Sequence, residues 1–426
     1  MSRLEFEWPD EMVEQVRAAR GRLERAGEVL REIPLEERIQ AVARVLNAWT
    51  QPDSPWRREL AERFAEATPF HPLTVAEGLD SALRAWQPDR FVACARRELA
   101  GVIDLGSYAL APYSWTAVLA GGSIPMPTLL SSLLPLVLGS PVLLRESSKD
   151  PVTAELLARS LAEHDRNLAR AFERLAIPKE DVAAFDRLLE APCVVATGSD
   201  ETIRSISSRL GASRRFVGYG HRFSIGVVGA DALGPMKDAA HGFALDVARW
   251  DQSGCLSPVV IYLIGLDAES REEFASGLAS ALAELTDRMP RGSSSTADRA
   301  AVATERSEAR MRAASQKATL FEAEDHTIVL EEDARPRPAP LHRFVRLLPV
   351  ASTPALGDAL RPFVGHLATA AIEGVSPRNR SELVRLLSRA GISRITSAGR
   401  MQTPPIDWPH DGLPLFAPMA RFVQSD

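Results

Sequence analysis

Short β-rich runs alternate with helix-length runs from Trp115 onward, and this alternation constrains the fold more than any other feature of the sequence. WTAVLA, PVLLRES and PCVVATGS are each followed by a stretch long enough for a helix, and RRFVGYG and FSIGVVG supply two further strands. Strands that are separated by helical crossovers lie parallel to one another. The pattern therefore predicts an α/β protein with a doubly wound, mainly parallel sheet.

A second series of the same kind follows Gly229. It contains a helix over PMKDAAHGFALDVAR, a turn at WDQSGCLSP and a strand at VVIYLIG, and it continues with two helices and the strands TIVLEE and FVRLLPV. The region from Trp8 to about Leu99 has the apolar spacing of several amphipathic helices. Because 426 residues exceed what one hydrophobic core usually serves, we expect two lobes.

Composition and charge exclude several classes of protein. The 56 acidic and 50 basic residues are well mixed, so no basic stripe is present and nucleic acid is not an expected partner. No run of 18 apolar residues predicts a membrane span, and no apolar leader is present, so we expect a cytoplasmic protein. Three scattered cysteines and eight histidines without HxH or HExxH spacing predict neither a disulfide framework nor a metal site.

Cys255 is the candidate nucleophile. It lies in DQSGCLSP, directly before a buried strand, where Gly254 and Pro258 predict a tight, accessible turn. A thiolate attacks carbonyl and thioester carbon and also leaves readily, so cysteine suits covalent acyl chemistry. The alternative is a buried structural cysteine, which is the commoner state and the one that we expect for Cys94 and Cys193.

Two turns at the ends of predicted strands are candidate cofactor-binding segments. In VVATGSDETI, Thr197, Gly198 and Ser199 stand between a strand and a helix N-terminus, where free backbone N–H groups suit a phosphate. The alternative is an ordinary helix cap. In LLRESSKDP the candidate side chains follow a strand and suit ribose hydroxyls or a 2′-phosphate, or else form a solvated loop; they are Arg145, Ser147 and Lys149.

Two histidines are placed to approach a cleft, His221 in GYGHRFS and His241 in the helix before Cys255. A packed or surface histidine is the commoner alternative for each.

The order of GGSIP, LLRESSKDP, ATGSDE, GYGHRFSIGVVG and DQSGCLSP resembles the aldehyde dehydrogenase superfamily, and within it the luminescence-type (LuxC-like) long-chain fatty acyl-CoA reductases. The tail GISRITSAGRMQTPPIDWPHDG extends this resemblance to the C-terminus. The resemblance implies an aldehyde-dehydrogenase-like fold with four parts. These are a helical N-terminal region (1–100) packing on the cofactor domain, a nicotinamide-cofactor-binding domain (101–229), a catalytic thiol domain (230–398) and a C-terminal segment (399–426) that returns to the cofactor domain or a dimer interface.

The resemblance also assigns roles to residues. Cys255 matches the nucleophile of the superfamily, ATGSDE matches its Gly-Ser cofactor turn, and Arg145 matches a ribose-contacting lysine. Ser123 stands where an asparagine usually helps to hold the oxyanion, and its hydroxyl is expected to replace that donor. No carboxylate stands at Gly218 or Tyr219, where hydrolytic members have the glutamate that activates water.

These roles predict an NADPH-dependent acyl-CoA reductase, with NADH as an open alternative. It would take an acyl group from CoA or an acyl carrier onto Cys255 and release the aldehyde, with Ser123 and His221 as further catalytic candidates. The resemblance also suggests a homodimer and an acyl-protein synthetase or carrier protein as partner. Two rival hypotheses stay open, a CoA-acylating aldehyde dehydrogenase and a non-catalytic subunit of an acyl-transfer complex.

Overall fold

The computed structural model describes residues 11–103, 108–231 and 236–424. The helices in these residues are α1 (Glu11–Glu32), α2 (Leu35–Thr50), α3 (Pro55–Ala67), α4 (Pro72–Ala85), α5 (Pro88–Glu98), α6 (Ala100–Ile103), α7 (Met126–Val137), α8 (Thr153–His164), α9 (Arg166–Arg170), α10 (Val182–Leu188), α11 (Asp200–Arg209), α12 (Met236–Ala248), α13 (Ala268–Leu285), α14 (Thr296–Ala314), α15 (Thr353–Leu360) and α16 (Pro377–Arg389).

The strands in the described residues are β1 (Tyr108–Leu110), β2 (Thr116–Leu119), β3 (Val142–Arg145), β4 (Phe172–Leu175), β5 (Cys193–Thr197), β6 (Arg215–Tyr219), β7 (Phe223–Gly229), β8 (Pro258–Ile264), β9 (Ala318–Glu322), β10 (Thr327–Glu331), β11 (Phe344–Val350), β12 (Leu367–Glu373), β13 (Arg394–Thr396) and β14 (Phe422–Gln424). None of the described helices is long and apolar enough to cross a membrane.

The chain divides into two compact units. The first unit is formed by residues 1–67, 86–220 and 413–426, and the second by 68–85 and 221–412, in each case as far as these residues are described. The helix α4 therefore belongs to the second unit, although it lies within the predicted N-terminal helical region.

The first unit contains a five-stranded sheet in the order β4-β3-β2-β5-β6, and all of its neighbouring strands are parallel. The chain starts in the centre with β2, moves outward through β3 and β4, and then crosses to β5 and β6 on the other side. The direction of winding thus reverses between β2 and β5. In doubly wound sheets such a reversal opens a crevice at the carboxyl ends of the strands, where ligands bind.

Helix α1 covers part of this sheet because its apolar residues recur at helical spacing. Val16, Ala19 and Leu23 are buried in one cluster with Trp115 and Val194. Burial of apolar side chains contributes about 25 cal/mol for each Å² removed from water, so this face of α1 stabilises the unit. A separate antiparallel pair, β1 with β14, joins Tyr108 to Gln424 in the same unit.

The second unit contains a seven-stranded sheet in the order β13-β12-β7-β8-β11-β10-β9. Its neighbouring strands are parallel except for the edge strand β9, which runs antiparallel to β10. Apolar clusters cover both faces, with α12 and α13 on one face and α15 and α16 on the other. Two-sided burial explains why VVIYLIG and FVRLLPV are nearly continuous apolar runs.

The structure confirms the predicted α/β class with parallel sheets and corrects one strand assignment. FSIGVVG forms β7, which pairs with β8 and β12 in the second sheet and not with the strands around β2. The error arose because β6 and β7 are separated by only three residues, which gave no sign that the chain changes sheets there.

Candidate active site

The carboxyl ends of β2 and β5 meet where the winding of the first sheet reverses. Gly121 follows β2, and a Cβ atom added to it would lie 1.9 Å from the carbonyl oxygen of Thr197. Any larger residue would therefore force these strand ends apart. The absence of a side chain at Gly121 brings the GGSIP loop, which contains the half-buried Ser123, beside the TGS turn.

The TGS turn begins helix α11. Ser199 is the N-cap, and its Oγ accepts a hydrogen bond of 3.2 Å from the N–H of Thr202. The N–H of Gly198 donates to the carbonyl oxygen of Tyr219 at 3.1 Å. The expectation of free N–H groups is therefore wrong for Gly198, because a parallel neighbour, β6, supplies its acceptor.

Arg145 ends β3 at the same edge, and Ser147 and Lys149 follow it. The Nε of Arg145 donates to the carbonyl oxygen of Ile177 at 3.0 Å, and burial lowers the pKa of its guanidinium, although Glu180 raises it. Ser147 is buried and shapes the turn, since its Oγ accepts the N–H of Lys149 at 3.2 Å. The Lys149 side chain is exposed.

This edge fits a dinucleotide cofactor. It combines the strand order of a nucleotide-binding sheet, a glycine that lets two strand ends approach closely, a helix N-terminus and two cationic side chains. The residues that the sequence predicted for cofactor binding therefore lie together in the first unit.

Cys255 lies in the second unit, in the turn between the 3₁₀ helix Arg249–Gln252 and β8. Three consecutive residues before it have left-handed backbones, with φ of 55° at Trp250, 46° at Asp251 and 64° at Gln252. Non-glycine residues rarely adopt this conformation, and each one costs roughly 1–2 kcal/mol. The segment therefore needs strong support from its surroundings.

Buried polar contacts supply this support. Arg343 is fully buried, and its Nη2 lies 2.7 Å from Oδ1 of Asp251. The buried Gln252 binds the backbone of Phe344 through both ends of its amide, accepting the N–H at 2.8 Å and donating to the carbonyl at 3.1 Å. Both contacts join this segment to the start of β11, about ninety residues later in the chain.

The turn itself is also fixed. The Oγ of Ser224 donates to the carbonyl oxygen of Cys255 at 2.8 Å and accepts the N–H of Thr369 at 3.1 Å. The N–H of Ser257 donates to the carbonyl of Gly254 at 3.0 Å and closes the turn. The Cys255 residue stays exposed to solvent, whereas Cys94 and Cys193 are buried.

Although the Cys255 residue as a whole is exposed, the protein atoms packed around its thiol desolvate the sulfur and raise its pKa to about 11. The negative charge of Asp411 raises this pKa further, whereas the N–H of Cys255 itself and the Arg222 guanidinium lower it. Burial raises the pKa of Cys193 to about 12, although its hydrogen bond with Thr116 and the Arg215 guanidinium lower it. Cys193 thus fits the structural role that we predicted.

Arg222, His410 and Asp411 form a charged cluster, and the charges of Arg222 and Asp411 act on the Cys255 thiol. The sequence patterns predicted no role for any of the three. Nε of Arg222 lies 2.8 Å from Oδ2 of Asp411, and its Nη1 donates to the carbonyl of Gly365. Nε2 of His410 lies 3.9 Å from Oδ1 of Asp411. Burial lowers the pKa of His410, Asp411 raises it and Arg222 lowers it. The sequence offered the motif WPHDG in its tail as a signal. Because this motif lies far from Arg222 in the chain, the contact between Asp411 and Arg222 could not be predicted from the sequence.

His221 is exposed and lines an apolar groove of about 310 Å³ in the second unit. The groove also contains Phe223, Tyr262, Leu348 and Phe363. The predicted catalytic role of His221 stays a prediction, and so does that of Ser123, which lies in the first unit.

A family model described as acyl-CoA reductase (LuxC) matches residues 30–423, which is nearly the whole chain. This chain belongs to the LuxC acyl-CoA reductase family. The match confirms the resemblance on which the sequence prediction rested.

Curated relatives of this chain are named long-chain acyl-protein thioester reductases. It is 27% identical over 316 residues to "long-chain acyl-protein thioester reductase 2" of Photobacterium leiognathi, an alignment that covers 72% of this chain and 62% of that protein. It is 25% identical over 313 residues to the long-chain acyl-protein thioester reductase of Aliivibrio fischeri, which covers 72% and 63%. The chain thus matches less than two thirds of the length of these relatives.

Solved structures establish the fold. An indole-3-acetaldehyde dehydrogenase from P. syringae superposes with a TM-score of 0.75 at 14% identity, covering 97% of this chain and 88% of that one. The aldehyde dehydrogenase KauB from Pseudomonas aeruginosa gives a TM-score of 0.74 at 16% identity, with the same coverage of 97% and 88%. The family member therefore has the aldehyde dehydrogenase fold, as predicted.

Proposed function

We propose that this protein reduces a long-chain acyl thioester to the aldehyde through a thioester on Cys255. The observation that carries the proposal is an exposed cysteine on a turn that is held by buried polar contacts, in a chain of the acyl-CoA reductase family. The names of the curated relatives support an acyl-protein thioester as the donor, and acyl-CoA is the alternative donor.

Acyl transfer begins when the sulfur of Cys255 attacks the thioester carbon. The new C–S bond forms to Cys255, the C–S bond to the carrier breaks, and the carrier leaves as a thiol. The oxyanion that forms on the way is expected to accept hydrogen bonds from the N–H of Cys255 and the hydroxyl of Ser123. Reduction of the acyl group leaves a hemithioacetal, whose C–S bond then breaks to release the aldehyde and the Cys255 thiol.

A nicotinamide cofactor would supply the hydride, and the edge of the first sheet is the place where we expect it to bind. The TGS turn would face its pyrophosphate, and Arg145 and Lys149 would meet a ribose or its 2′-phosphate. The cationic side chains favour NADPH, with NADH as the alternative. Three free cysteines fit a reducing compartment such as the cytoplasm, and a homodimer and an acyl-protein synthetase partner belong to the same proposal.

Water must not intercept the acyl group before it is reduced. Gly218 and Tyr219 carry no carboxylate, and Tyr219 is buried at the end of β6. The lack of a base at this place suits a reductase, because the thioester on Cys255 would resist hydrolysis. It suits a CoA-acylating aldehyde dehydrogenase equally well, and this is the second candidate function.

The test is to mix the purified protein with octanoyl-CoA or palmitoyl-CoA and NADPH, and to measure cofactor oxidation and trapped aldehyde. Cys255→Ala should lower turnover by about 10⁴-fold or more while its thermal unfolding midpoint stays near that of the wild type. Faster turnover of aldehyde with CoA and NAD would favour the second candidate. No turnover in either direction, and no acyl adduct on Cys255 by intact mass, would reject both.

A further inference from the structure

The aspartate of the charged cluster is held in an unfavourable state. Asp411 has a left-handed backbone, with φ of 54°, and its side chain is only 6% exposed. Oδ2 faces Arg222, but Oδ1 is buried and makes no hydrogen bond to any residue that the structure describes. Buried polar atoms normally have partners, so an open carboxylate oxygen calls for an explanation.

Contacts of the chain place the ion pair between Arg222 and Asp411 near the Cys255 turn. A Cβ atom added to Gly254 would lie 2.9 Å from Oε1 of Gln402, so the tail segment that leads to Asp411 packs on the Cys255 turn. Arg222 stands two residues before Ser224, whose hydroxyl binds the carbonyl of Cys255. The charges of both Asp411 and Arg222 act on the thiol, in opposite directions.

We propose that Asp411 is the acid–base group of acyl transfer, an inference that rests on the proposed function. Its carboxylate accepts the proton of Cys255 as the sulfur attacks the thioester carbon, directly or through one water. The protonated carboxyl then gives this proton to the sulfur of the departing carrier. One proton moves from thiol to thiol, one C–S bond forms and one breaks, and no oxidant or reductant takes part.

The neighbouring groups suit this assignment. A guanidinium does not serve as a proton acceptor in proteins, and the ion pair of Arg222 with Asp411 fixes the orientation of the carboxylate. His410 lies against Oδ1 of Asp411, and its lowered pKa leaves it uncharged near neutral pH. It therefore does not cancel the charge of Asp411.

Asp411 has opposite effects on two reactions of the same thiol. Its charge opposes formation of a free thiolate, so it slows alkylation, which needs only the thiolate. The same carboxylate assists acyl transfer, because the sulfur loses its proton while the new C–S bond forms. Removing the charge should therefore accelerate alkylation and slow acyl transfer. Unfolding would also free the thiol for alkylation, so each variant must keep the wild-type thermal unfolding midpoint for this comparison to count.

The experiment compares wild type with Asp411→Asn in the full chain. Acyl transfer from octanoyl-CoA is followed by intact mass in single turnover without cofactor, and alkylation by iodoacetamide is followed across a pH series. We expect acyl transfer to fall about 10²-fold, and the midpoint of the alkylation profile to move to lower pH. The matched control is Asp358→Asn, which removes an exposed carboxylate of α15 in the same unit and should change neither reaction.

A variant with wild-type acyl transfer, or with both reactions slowed together, overturns the inference. A His410→Gln variant that slows acyl transfer more than Asp411→Asn does would also overturn it, because histidine would then be the acid–base group. Failure of the wild type to take an acyl group would instead reject the proposed function, and the alkylation profiles would still show whether Asp411 controls the thiol.

Discussion

The two candidate sites of this protein are built in different ways. The cofactor edge of the first unit is made from strand–turn–helix segments: Ser199 caps the helix through Thr202, three residues on, and backbone atoms of β6 and of Gly121 meet the TGS turn. The Cys255 turn of the second unit is held by contacts of Ser224 and Arg343, and the charge of Asp411 acts on its thiol, although all three residues are distant from Cys255 in the chain. This difference shows that backbone geometry forms the cofactor edge, whereas buried side-chain contacts from distant parts of the chain position the nucleophile.

From this comparison we expect the largest loss of stability on substitution of Arg343, which lies in the site that depends on buried long-range contacts. Arg343→Met should lower the free energy of unfolding by about 3–5 kcal/mol, because it leaves the buried Asp251 carboxylate without its cation beneath the left-handed segment before Cys255. Urea unfolding measures this change. Acyl transfer to Cys255 should slow as well, since the turn loses its support.

Arg361→Met is the control, because Arg361 pairs with Asp358 on the surface and its loss should cost about 0.5 kcal/mol or less. If Arg343→Met costs under about 1 kcal/mol, the buried pair does not hold the segment and the contrast between the two sites disappears.

A smaller, pH-dependent effect is expected at Asp246, which ties the tail to α12. It accepts the N–H groups of Gly399 at 2.6 Å and Met401 at 3.0 Å, and burial raises its pKa to about 7, while its hydrogen bonds and Arg249 lower it. The folded state thus binds this proton more tightly than the unfolded state, where the pKa is about 4. The resulting stabilisation is complete below about pH 4 and is lost as the pH rises to about 7.

The stability difference between wild type and Asp246→Asn should therefore shrink by about 2–4 kcal/mol between pH 4 and pH 7, because asparagine does not titrate. Urea unfolding at several pH values measures it, with Asp358→Asn as the surface control. A difference that grows with pH would show that Asp246 is charged in the folded protein.

The smallest effect is expected at the cofactor edge. Ser199→Ala removes the N-cap of α11 and should cost about 1 kcal/mol, with little effect on acyl transfer to Cys255. Ser208→Ala, an exposed change near the end of the same helix, should be neutral or slightly stabilising. Thermal unfolding compares the two variants, and a loss above about 3 kcal/mol at Ser199 would mean that this edge also depends on long-range contacts.

The sequence by itself determined the α/β class, the strands β2, β3 and β5 that carry the cofactor residues, the helix start at Asp200 and the exposed turn at Cys255. These features follow from apolar periodicity, capping and turn-forming residues, which act between near neighbours in the chain. Only the tertiary structure decided that β7 joins the second sheet, that the N–H of Gly198 is occupied, and that the charges of Arg222 and Asp411 act on the thiol. These contacts join residues that lie from 21 positions apart, as Gly198 and Tyr219 do, to 189 positions apart, as Arg222 and Asp411 do. Charges also act on the thiol through space, so no local pattern could reveal these features.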